Sequence, residues 1–464
     1  MTAFASGSAA IARIAGRASR ALGRGGGTAV PGVVLLRINP GAVDQLAARL
    51  GGGTTLVSAT NGKTTTTRLL AGALASGGAE IVTNGAGANL LSGVAAALAT
   101  SRQTSPATAR GLFECDEAAL PAVAGRVHPR VIVLMNLFRD QLDRHGELEA
   151  VSERWQAMLA TLTPLPRLVL AADDPAIAAL GRGHDVLWFG ITDPAVSQGA
   201  LPHAADSTRC RSCGAPLEYD AVWIGHLGAW RCPACGDARP EPDVAVVNAA
   251  LHGAAGSSPQ IRTPEGEVTL HLLLPGLHNV LNAAAALAGA IAMGVPAAEA
   301  AAAISRVPPA FGRSECISVD GRDVVLMLAK NPAGANENVR TLLLDAGEHD
   351  LLVALNDRIA DGRDVSWIWD VDWELILPRV RRLTVTGERA HDLALRFRYA
   401  GIAPERLYVQ PSPRVALDDA LGALPAGARL EVLPTYTAMH DIRAGLVARG
   451  AAGAFWDEGS DAGH

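Results

Sequence analysis

Residues 54–65 read TTLVSATNGKTT, and this stretch decides the fold of the chain. Its first five residues are mostly β-branched or apolar, which predicts a short strand over 54–58. A polar turn containing Gly62 follows, and a helical stretch runs from Lys63 to about residue 75. A turn between a strand and a helix directs backbone N–H groups at a phosphate, and the Lys63 ammonium adds positive charge. The stretch therefore predicts a nucleotide phosphate site in an α/β fold.

The candidate phosphate-binding residues form one run: Thr60, Asn61, Gly62, Lys63, Thr64 and Thr65. Thr64 follows the lysine, where a hydroxyl can reach Mg²⁺. The strict phosphate-loop spacing requires glycine at position 57, and Val57 stands there. The alternative is a glycine turn with a solvated lysine. The strand, turn and helix around the run favour the phosphate site.

Further buried strands are predicted at 81–83, 131–135 and 168–171, with helix-length segments between them. This alternation is typical of a parallel sheet covered on both faces. A helix-rich stretch follows at 276–305, and two prolines at 308–309 mark a boundary.

From about residue 312 the alternation of strands and helices restarts, with strands predicted near 324–328, 351–355, 382–386 and 429–433. We therefore expect an N-terminal segment at 1–50, a central α/β domain at 51–307 and a smaller α/β domain at 308–464.

Composition excludes several classes of protein. The chain has 464 residues, 49% hydrophobic and 19% charged, so a disordered chain is excluded and roughly two to four domains are expected. The net charge of −6 argues against binding along a nucleic-acid backbone. No segment has the ~18 uninterrupted apolar residues of a membrane span. We expect a cytoplasmic protein.

The N-terminal segment carries Arg13, Arg17, Arg20 and Arg24 at helical spacing among small and apolar residues. A signal peptide has its charges before the apolar run and then a cleavage site, and this segment has neither. It is either a solvated surface helix or a helix weakly attracted to anionic lipid. The second interpretation places the protein in transient contact with the inner face of the membrane.

Four of the six cysteines form two pairs, Cys210–Cys213 and Cys232–Cys235, with eighteen residues between the pairs. Two such knuckles bring four thiolates to tetrahedral reach, which predicts a structural Zn²⁺ in a ribbon at about 203–240. Two disulfides are the alternative, disfavoured in a reducing compartment. A nucleic-acid role for this ribbon lacks interleaved aromatic residues.

The chain resembles the central domain of the Mur ligases in several segments, taken in chain order. After the phosphate loop come ECDE at 114–117, NLFRDQLDRHG at 136–146, DDP at 173–175, HNVLN at 278–282 and FGRSE at 311–315. The resemblance implies ATP as substrate, with Glu114 as a Mg²⁺ ligand, Asn279 on the adenine side and Arg313 at the start of the C-terminal domain. Gln141 stands where many members have a metal-binding histidine, so the resemblance does not extend to a second Mg²⁺ site.

Three later segments resemble the MurT family: LAKNPAG at 328–334, LNDRIADGRDVSWIWD at 355–370 and LPTYTAM at 433–439. This resemblance implies ATP-dependent amidation of the α-carboxylate of D-glutamate in the lipid II stem peptide, giving D-isoglutamine through an acyl phosphate. Only about 50 residues precede the phosphate loop, which favours a lipid-linked substrate over a nucleotide-linked one.

The two cysteines outside the ribbon, Cys115 and Cys316, do not lie in nucleophile-like turns, so a separate subunit is expected to supply ammonia. The resemblance implies a GatD-type glutaminase that forms a heterodimer with this chain and hydrolyses L-glutamine. It also implies that Asp364 completes the partner's Cys–His pair as a catalytic residue. Alternatively, Asp361 and Asp364 only cap a turn before the next strand. That strand is expected to carry Trp367, Trp369 and Trp373 on one face, which either contacts the partner or fills the core.

Two other functions are compatible with parts of the sequence. A Mur-type or folylpolyglutamate-type ligase would add an amino acid and need no glutaminase. A zinc-ribbon nucleic-acid-binding NTPase would hydrolyse ATP in response to nucleic acid. The joint resemblance of the segments favours the amidating ligase over both.

Overall fold

The computed structural model describes residues 3–21, 29–85, 88–101, 105–140, 148–202, 205–308 and 313–452, without the side chains of 3–6, 18–21 and 313–314. Three helices come first: α1 (Ala3–Ala21), α2 (Val30–Ile38) and α3 (Ala42–Ala47). Gly32 of α2 packs closely against the backbone of Ser92, because a Cβ added at this glycine would be 1.7 Å from the Ser92 carbonyl oxygen. Within the described part of the chain, no helix is both long and apolar enough to cross a bilayer.

The first half of the chain after these helices forms a nine-stranded sheet and a separate hairpin. Its strands are β1 (Thr54–Ser58), β2 (Ile81–Thr83), β3 (Arg110–Cys115), β4 (Val131–Leu134), β5 (Arg167–Ala171), β6 (Val186–Ile191), the hairpin pair β7 (Glu218–Ile224) and β8 (Leu227–Arg231), then β9 (Val244–Asn248), β10 (Gln260–Thr263) and β11 (Gly266–Thr269). The sheet order is β11-β10-β9-β6-β5-β4-β1-β3-β2.

Strands β1 to β6 and β9 pair in parallel, and the strands β9, β10 and β11 pair antiparallel. All five residues of β1 are buried, as expected for a central strand with both faces covered. Strand β1 lies between β3 and β4, and the connections from β1 to β2 and from β4 to β5 run towards opposite edges of the sheet. This is the position at which open α/β sheets bind ligands.

Among the described residues, seven helices lie between or after these strands: α4 (Lys63–Ala75), α5 (Leu91–Thr100), α6 (Leu120–Val127), α7 (Leu148–Thr161), α8 (Pro175–Leu180), α9 (Leu277–Ala292) and α10 (Ala297–Ile304). Helix α9 is almost wholly buried, and small residues, seven alanines and one glycine, make up half of its sixteen residues. Its Gly289 lies against Leu70 of α4, where an added Cβ would be 3.0 Å from a leucine methyl. Small residues thus let α9 pack against both α4 and the sheet.

The second half forms a six-stranded sheet. Its elements are β12 (Arg313–Val319), β13 (Arg322–Met327), α11 (Pro332–Leu343), β14 (His349–Ala354), β15 (Val380–Thr386), α12 (Ala390–Tyr399), β16 (Leu407–Val409), α13 (Pro413–Ala423), β17 (Arg429–Pro434) and α14 (Tyr436–Ala448). The order is β12-β13-β17-β14-β15-β16, parallel except for the β12–β13 hairpin. The expected α/β class with two parallel-rich sheets is confirmed, while the domain boundaries stay predictions.

The tryptophan-rich segment is not a strand, so that prediction is wrong. Residues Ser366–Asp370 and Trp373–Leu375 form short 3₁₀ helices. With three residues per turn, alternate positions do not share a face. Trp373 is buried, donates to the Ile368 carbonyl oxygen at 3.2 Å and packs on Phe397, whereas Trp369 is exposed.

Candidate active site

The loop between β1 and α4 is shaped by Gly62. Its φ of 90° is left-handed, and an added Cβ would lie 2.1 Å from Oδ1 of Asn282 and 3.0 Å from Cε of Met135. Glycine is therefore required both for the turn and for the close approach of α9. Helix α4 begins directly after it, at Lys63, so its N-terminal N–H groups lie at the carboxyl end of β1.

Lys63 is buried and lies within a set of oxygen atoms. Its Nζ donates to the Glu117 carboxylate at 2.9 Å, to the Thr60 carbonyl oxygen at 3.3 Å and to the Ala59 carbonyl oxygen. Burial lowers the pKa of Lys63, but the nearby carboxylates of Glu117, Glu114 and Asp140 outweigh burial, and the pKa lies above its ordinary value. Lys63 therefore holds a fixed positive charge at the phosphate loop.

Glu117 is the partner that the sequence reasoning missed, although it is the last residue of the quoted ECDE segment. Burial raises its pKa, but Lys63 and Lys330 outweigh burial and lower it, so the carboxylate is ionised. Glu114 lies three residues earlier, one residue before the end of β3, and is also buried. Asn84 holds the Glu114 backbone with two hydrogen bonds, of 2.9 Å and 2.8 Å.

Three asparagines join the loop to the second half of the chain. The side chains of Asn61 and Asn331 exchange hydrogen bonds of 3.3 Å and 3.0 Å. Asn136 holds the Asn61 backbone through bonds of 2.9 Å and 3.1 Å. Asn331 also caps α11, accepting from Gly334 N at 2.9 Å. Beside it, Lys330 pairs with Asp140. The sequence KNP at 330–332 predicts a capped helix start, but it does not predict the contact between Asn331 and Asn61.

A cleft lies between the two halves of the molecule at this point. Its polar wall includes Asn61, Gly62, Thr65, Asn279, Asn282 and Lys330, and its apolar wall includes Phe138, Ile224, Leu227 and Met327. Glu337 of α11 lines the same cleft as a buried carboxylate. Burial raises its pKa, with Arg340 at 3.0 Å opposing the shift. A cleft with one apolar wall and one polar, partly cationic wall suits a nucleotide.

The structure brings most of the predicted nucleotide residues together. Thr60 faces inward, where its hydroxyl donates to the Phe138 carbonyl oxygen at 3.2 Å and accepts from Phe138 N at 3.0 Å. Thr64 is partly exposed at the start of α4, beside Lys63. The Arg313 side chain and Gln141 lie outside the described residues. The roles assigned to this set stay predictions.

Asp364 is not among the residues that line the cleft. It is exposed and accepts a hydrogen bond of 2.8 Å from Ser366 N. Hydrogen bonds from Ser366 hold the pKa of Asp364 below its ordinary value. The nearby Asp361 differs, because it is buried and accepts from both the backbone N (2.7 Å) and the hydroxyl of Thr437. Asp361 is thus a turn residue, and Asp364 is an ionised side chain open to solvent.

The four ribbon cysteines form one cluster, with all their Sγ atoms within 4.8 Å of one another. The closest pairs, Cys210–Cys235 and Cys213–Cys232, are 3.6 Å and 3.5 Å apart, too far for disulfides. Both knuckles close on left-handed glycines, Gly214 at φ 74° and Gly236 at φ 79°. The cluster can bind a metal, and four thiolates match a closed zinc site.

The hairpin of this ribbon reaches the cleft. The ring of its turn residue His226 lies 4.7 Å from the Phe138 ring, and its Nε2 is 3.4 Å from the buried Asp174. The Trp223 carbonyl oxygen accepts from Arg340 of α11 at 2.7 Å. The cysteine cluster thus anchors a hairpin that contacts both halves of the molecule.

Comparison with known proteins places this architecture. The family model of the Mur ligase middle domain matches residues 57–220, and that of the MurT ligase C-terminal domain matches 328–439. Among solved structures, the pseudomurein peptide ligase type C of Methanothermus fervidus has a TM-score of 0.67 at 20% identity, covering 85% of this chain and 78% of that one. MurF from Acinetobacter baumannii has a TM-score of 0.65 at 18% identity, covering 89% and 80%. These similarities show the Mur ligase fold.

Two curated relatives are the MurT subunits of lipid II isoglutaminyl synthase (glutamine-hydrolyzing). The Staphylococcus aureus N315 protein is 30% identical over 396 residues, covering 84% of this chain and 87% of that protein. The Streptococcus pneumoniae R6 protein is 30% identical over 444 residues, covering 94% and 96%. The chain therefore belongs to the MurT family, on the Mur ligase fold, and is an enzyme of the ligase class.

Proposed function

We propose that this chain is the ligase subunit of a glutamine-hydrolysing lipid II isoglutaminyl synthase. It uses ATP to amidate the α-carboxylate of D-glutamate in the stem peptide of lipid II. The observation that carries this proposal is the similarity to the two MurT subunits, which covers both halves of the chain and the cleft between them. The Lys63 loop in that cleft supplies the phosphate-binding geometry.

The reaction has two steps, phosphorylation of the carboxylate and attack by ammonia. A carboxylate oxygen of D-glutamate attacks the γ-phosphorus of ATP, and ADP leaves with the electron pair of the broken bond. Ammonia then attacks the carbonyl carbon of the acyl phosphate, inorganic phosphate leaves, and nitrogen loses a proton. Lys63 and the α4 N-terminus stabilise negative charge on the transferring phosphoryl group, and the apolar wall at Phe138 and Leu227 takes the base.

Magnesium fits the oxygen-rich side of the loop. Glu114 is buried one residue before the carboxyl end of β3, and its charge contributes to the raised pKa of Lys63, so a carboxylate lies close to the phosphate position. Thr64 and Glu114 would hold the ion, and Mg²⁺ would neutralise phosphate charge when bound. In the ribbon, Cys210, Cys213, Cys232 and Cys235 would hold a structural Zn²⁺.

Ammonia must come from outside this chain. Burial raises the pKa of both Cys115 and Cys316, the opposite of what a thiolate nucleophile needs. The proposal therefore includes a GatD-type glutaminase subunit, whose Cys–His pair Asp364 would complete. An Asp in that position orients the histidine and stabilises its charged form.

The test uses the purified chain and a lipid II substrate, with the amide product measured by mass spectrometry. We expect amidation with ATP and ammonium, and none with ATP and glutamine until the glutaminase subunit is added. Glutamine-dependent amidation by the chain alone would overturn the division of labour. Ligation of an amino acid in place of ammonia would assign the chain to another Mur-type activity.

A further inference from the structure

The N-terminal 43 residues differ in charge from the rest of the chain. They contain five arginines, at positions 13, 17, 20, 24 and 37, and the first acidic residue of the chain is Asp44. The whole chain nevertheless has a net charge of −6. The segment that contains α1 and α2 therefore carries positive charge with no acidic residue to balance it.

These two helices are fixed to the body of the protein by close backbone packing. An added Cβ at Gly16 of α1 would lie 2.6 Å from Cγ of Pro31 in α2. Gly32 of α2 packs in turn on the Ser92 carbonyl oxygen of α5, and Arg13 donates to the Ala99 carbonyl oxygen at 2.9 Å. One side of each helix therefore packs against the rest of the protein, and these contacts fix the position of the opposite side.

The outward sides carry large apolar side chains beside arginines. Ile11 and Ile14 of α1 are 51% and 65% exposed, and Val33 and Ile38 of α2 are also exposed. Among the side chains that the structure describes on these two helices, the exposed arginines are Arg17 and Arg37. A solvated helix face would carry polar side chains in place of branched apolar ones. Apolar residues interspersed with basic ones are typical of helices that lie at a lipid surface.

We propose that the outer face of α1 and α2, defined by Ile11, Ile14, Arg17, Val33, Arg37 and Ile38, docks on a bilayer surface rich in anionic phospholipid. The arginines complement the anionic headgroups, and the isoleucines enter the boundary between headgroups and acyl chains. A nucleic acid would satisfy the arginines but leave the isoleucines in water. Each arginine is expected to strengthen binding about fivefold, so the docking is reversible.

This docking goes beyond the proposed function but agrees with it, because a lipid-linked substrate presents its peptide at such a surface. The two can fail separately. Docking is measured on vesicles that contain no substrate, whereas amidation is measured on detergent-solubilised lipid II with ammonium. The docking variants are expected to amidate the detergent-solubilised substrate at the unaltered rate.

The experiment measures co-sedimentation of the full-length chain with vesicles of equimolar phosphatidylglycerol and phosphatidylcholine, and with vesicles of phosphatidylcholine alone. We expect binding to the anionic vesicles that weakens between ~0.05 M and ~0.5 M salt as screening increases. Ile11→Asp/Ile14→Asp is expected to weaken it at least tenfold, and Arg17→Gln/Arg37→Gln about 25-fold. Leu395→Asp/Arg398→Gln, on exposed positions of α12, is the matched control and keeps full binding.

Equal binding to both kinds of vesicle, or none to either, overturns the proposal. Unchanged binding by the isoleucine variant also overturns it, because the attraction would then be charge alone. If circular dichroism shows that the aspartate variant is unfolded, Ile11→Ser/Ile14→Ser replaces it, with the same expected direction.

Discussion

The cleft around Lys63 and the turn around Asp364 both carry ionised side chains, but the two sites differ in burial and in how the charges are paired. Lys63 and Glu117 are buried and paired at 2.9 Å, whereas Asp364 is exposed and bound to the Ser366 backbone. A buried charge must find its partner within the fold because desolvation is costly. An exposed carboxylate has no such requirement, and it stays available to a second protein. Burial therefore distinguishes the ion pair of the phosphate loop from the carboxylate for which a partner-facing role is proposed.

The sharpest way to break this comparison is Asp364→Asn. Glutamine-dependent amidation by the chain with its glutaminase subunit should fall about 10⁴-fold, since the third member of a Cys–His–Asp arrangement is lost. Ammonium-dependent amidation should be unchanged, because Asp364 lies outside the cleft.

The matched control is Asp361→Asn, which keeps an oxygen acceptor for Thr437 N but replaces the oxygen that accepts from the Thr437 hydroxyl by an N–H₂ donor. It should lower the melting temperature of the chain, while Asp364→Asn should not. Normal glutamine turnover in the Asp364→Asn complex would contradict the assignment of this residue.

Lys63→Met tests the buried side of the comparison. Loss of the charge on the phosphoryl group should reduce amidation about 10³-fold with either nitrogen source. It also leaves Glu117 buried without its ion-pair partner, at a cost of about 3 kcal/mol in the free energy of unfolding. Lys63→Met/Glu117→Gln should recover much of that stability and none of the activity.

Chemical denaturation and single-turnover kinetics measure these two effects separately. Arg68→Ala, on an exposed position of the same helix, should leave both unchanged. A Lys63→Met variant that is as stable as the parent would show that the buried pair is not charged as described.

The ribbon offers a third test, of intermediate size. Cys232→Ser removes one of four ligands and should weaken metal binding by at least the ~10–100-fold that loss of an outer-shell contact costs. Because the hairpin of the ribbon packs on Phe138 and accepts from Arg340, the KM for ATP should also rise. Elemental analysis and initial rates measure the two effects. Cys316→Ser, outside the cluster, is the control, and retained metal in Cys232→Ser would contradict the four-thiolate site.

Local features of the sequence predicted much of this architecture. The strand, glycine turn and helix at 54–75 and the two cysteine pairs were predictable because they depend on near neighbours. The contact between Asn61 and Asn331 was not, because the two residues are 270 positions apart and each is an unremarkable polar residue in its own segment. The tryptophan segment was wrongly predicted as a strand, since spacing of two does not distinguish a strand from short 3₁₀ turns whose packing is set by Phe397.

The smallest expected effect concerns Glu337, a buried acid that is only partly balanced by Arg340. If burial requires a charged partner, this carboxyl should be protonated more readily in the folded chain than in the unfolded one. Burial raises its pKa despite Arg340, so the folded chain holds this proton more tightly than the unfolded chain does. Stability should therefore fall as pH rises from the ordinary glutamate pKa through the raised one. Glu337→Gln should flatten that part of the stability–pH curve, and Glu348→Gln, at an exposed position, should not. If both variants kept the parent's slope, Glu337 would be ionised in the folded chain, and Arg340 would be sufficient to balance it.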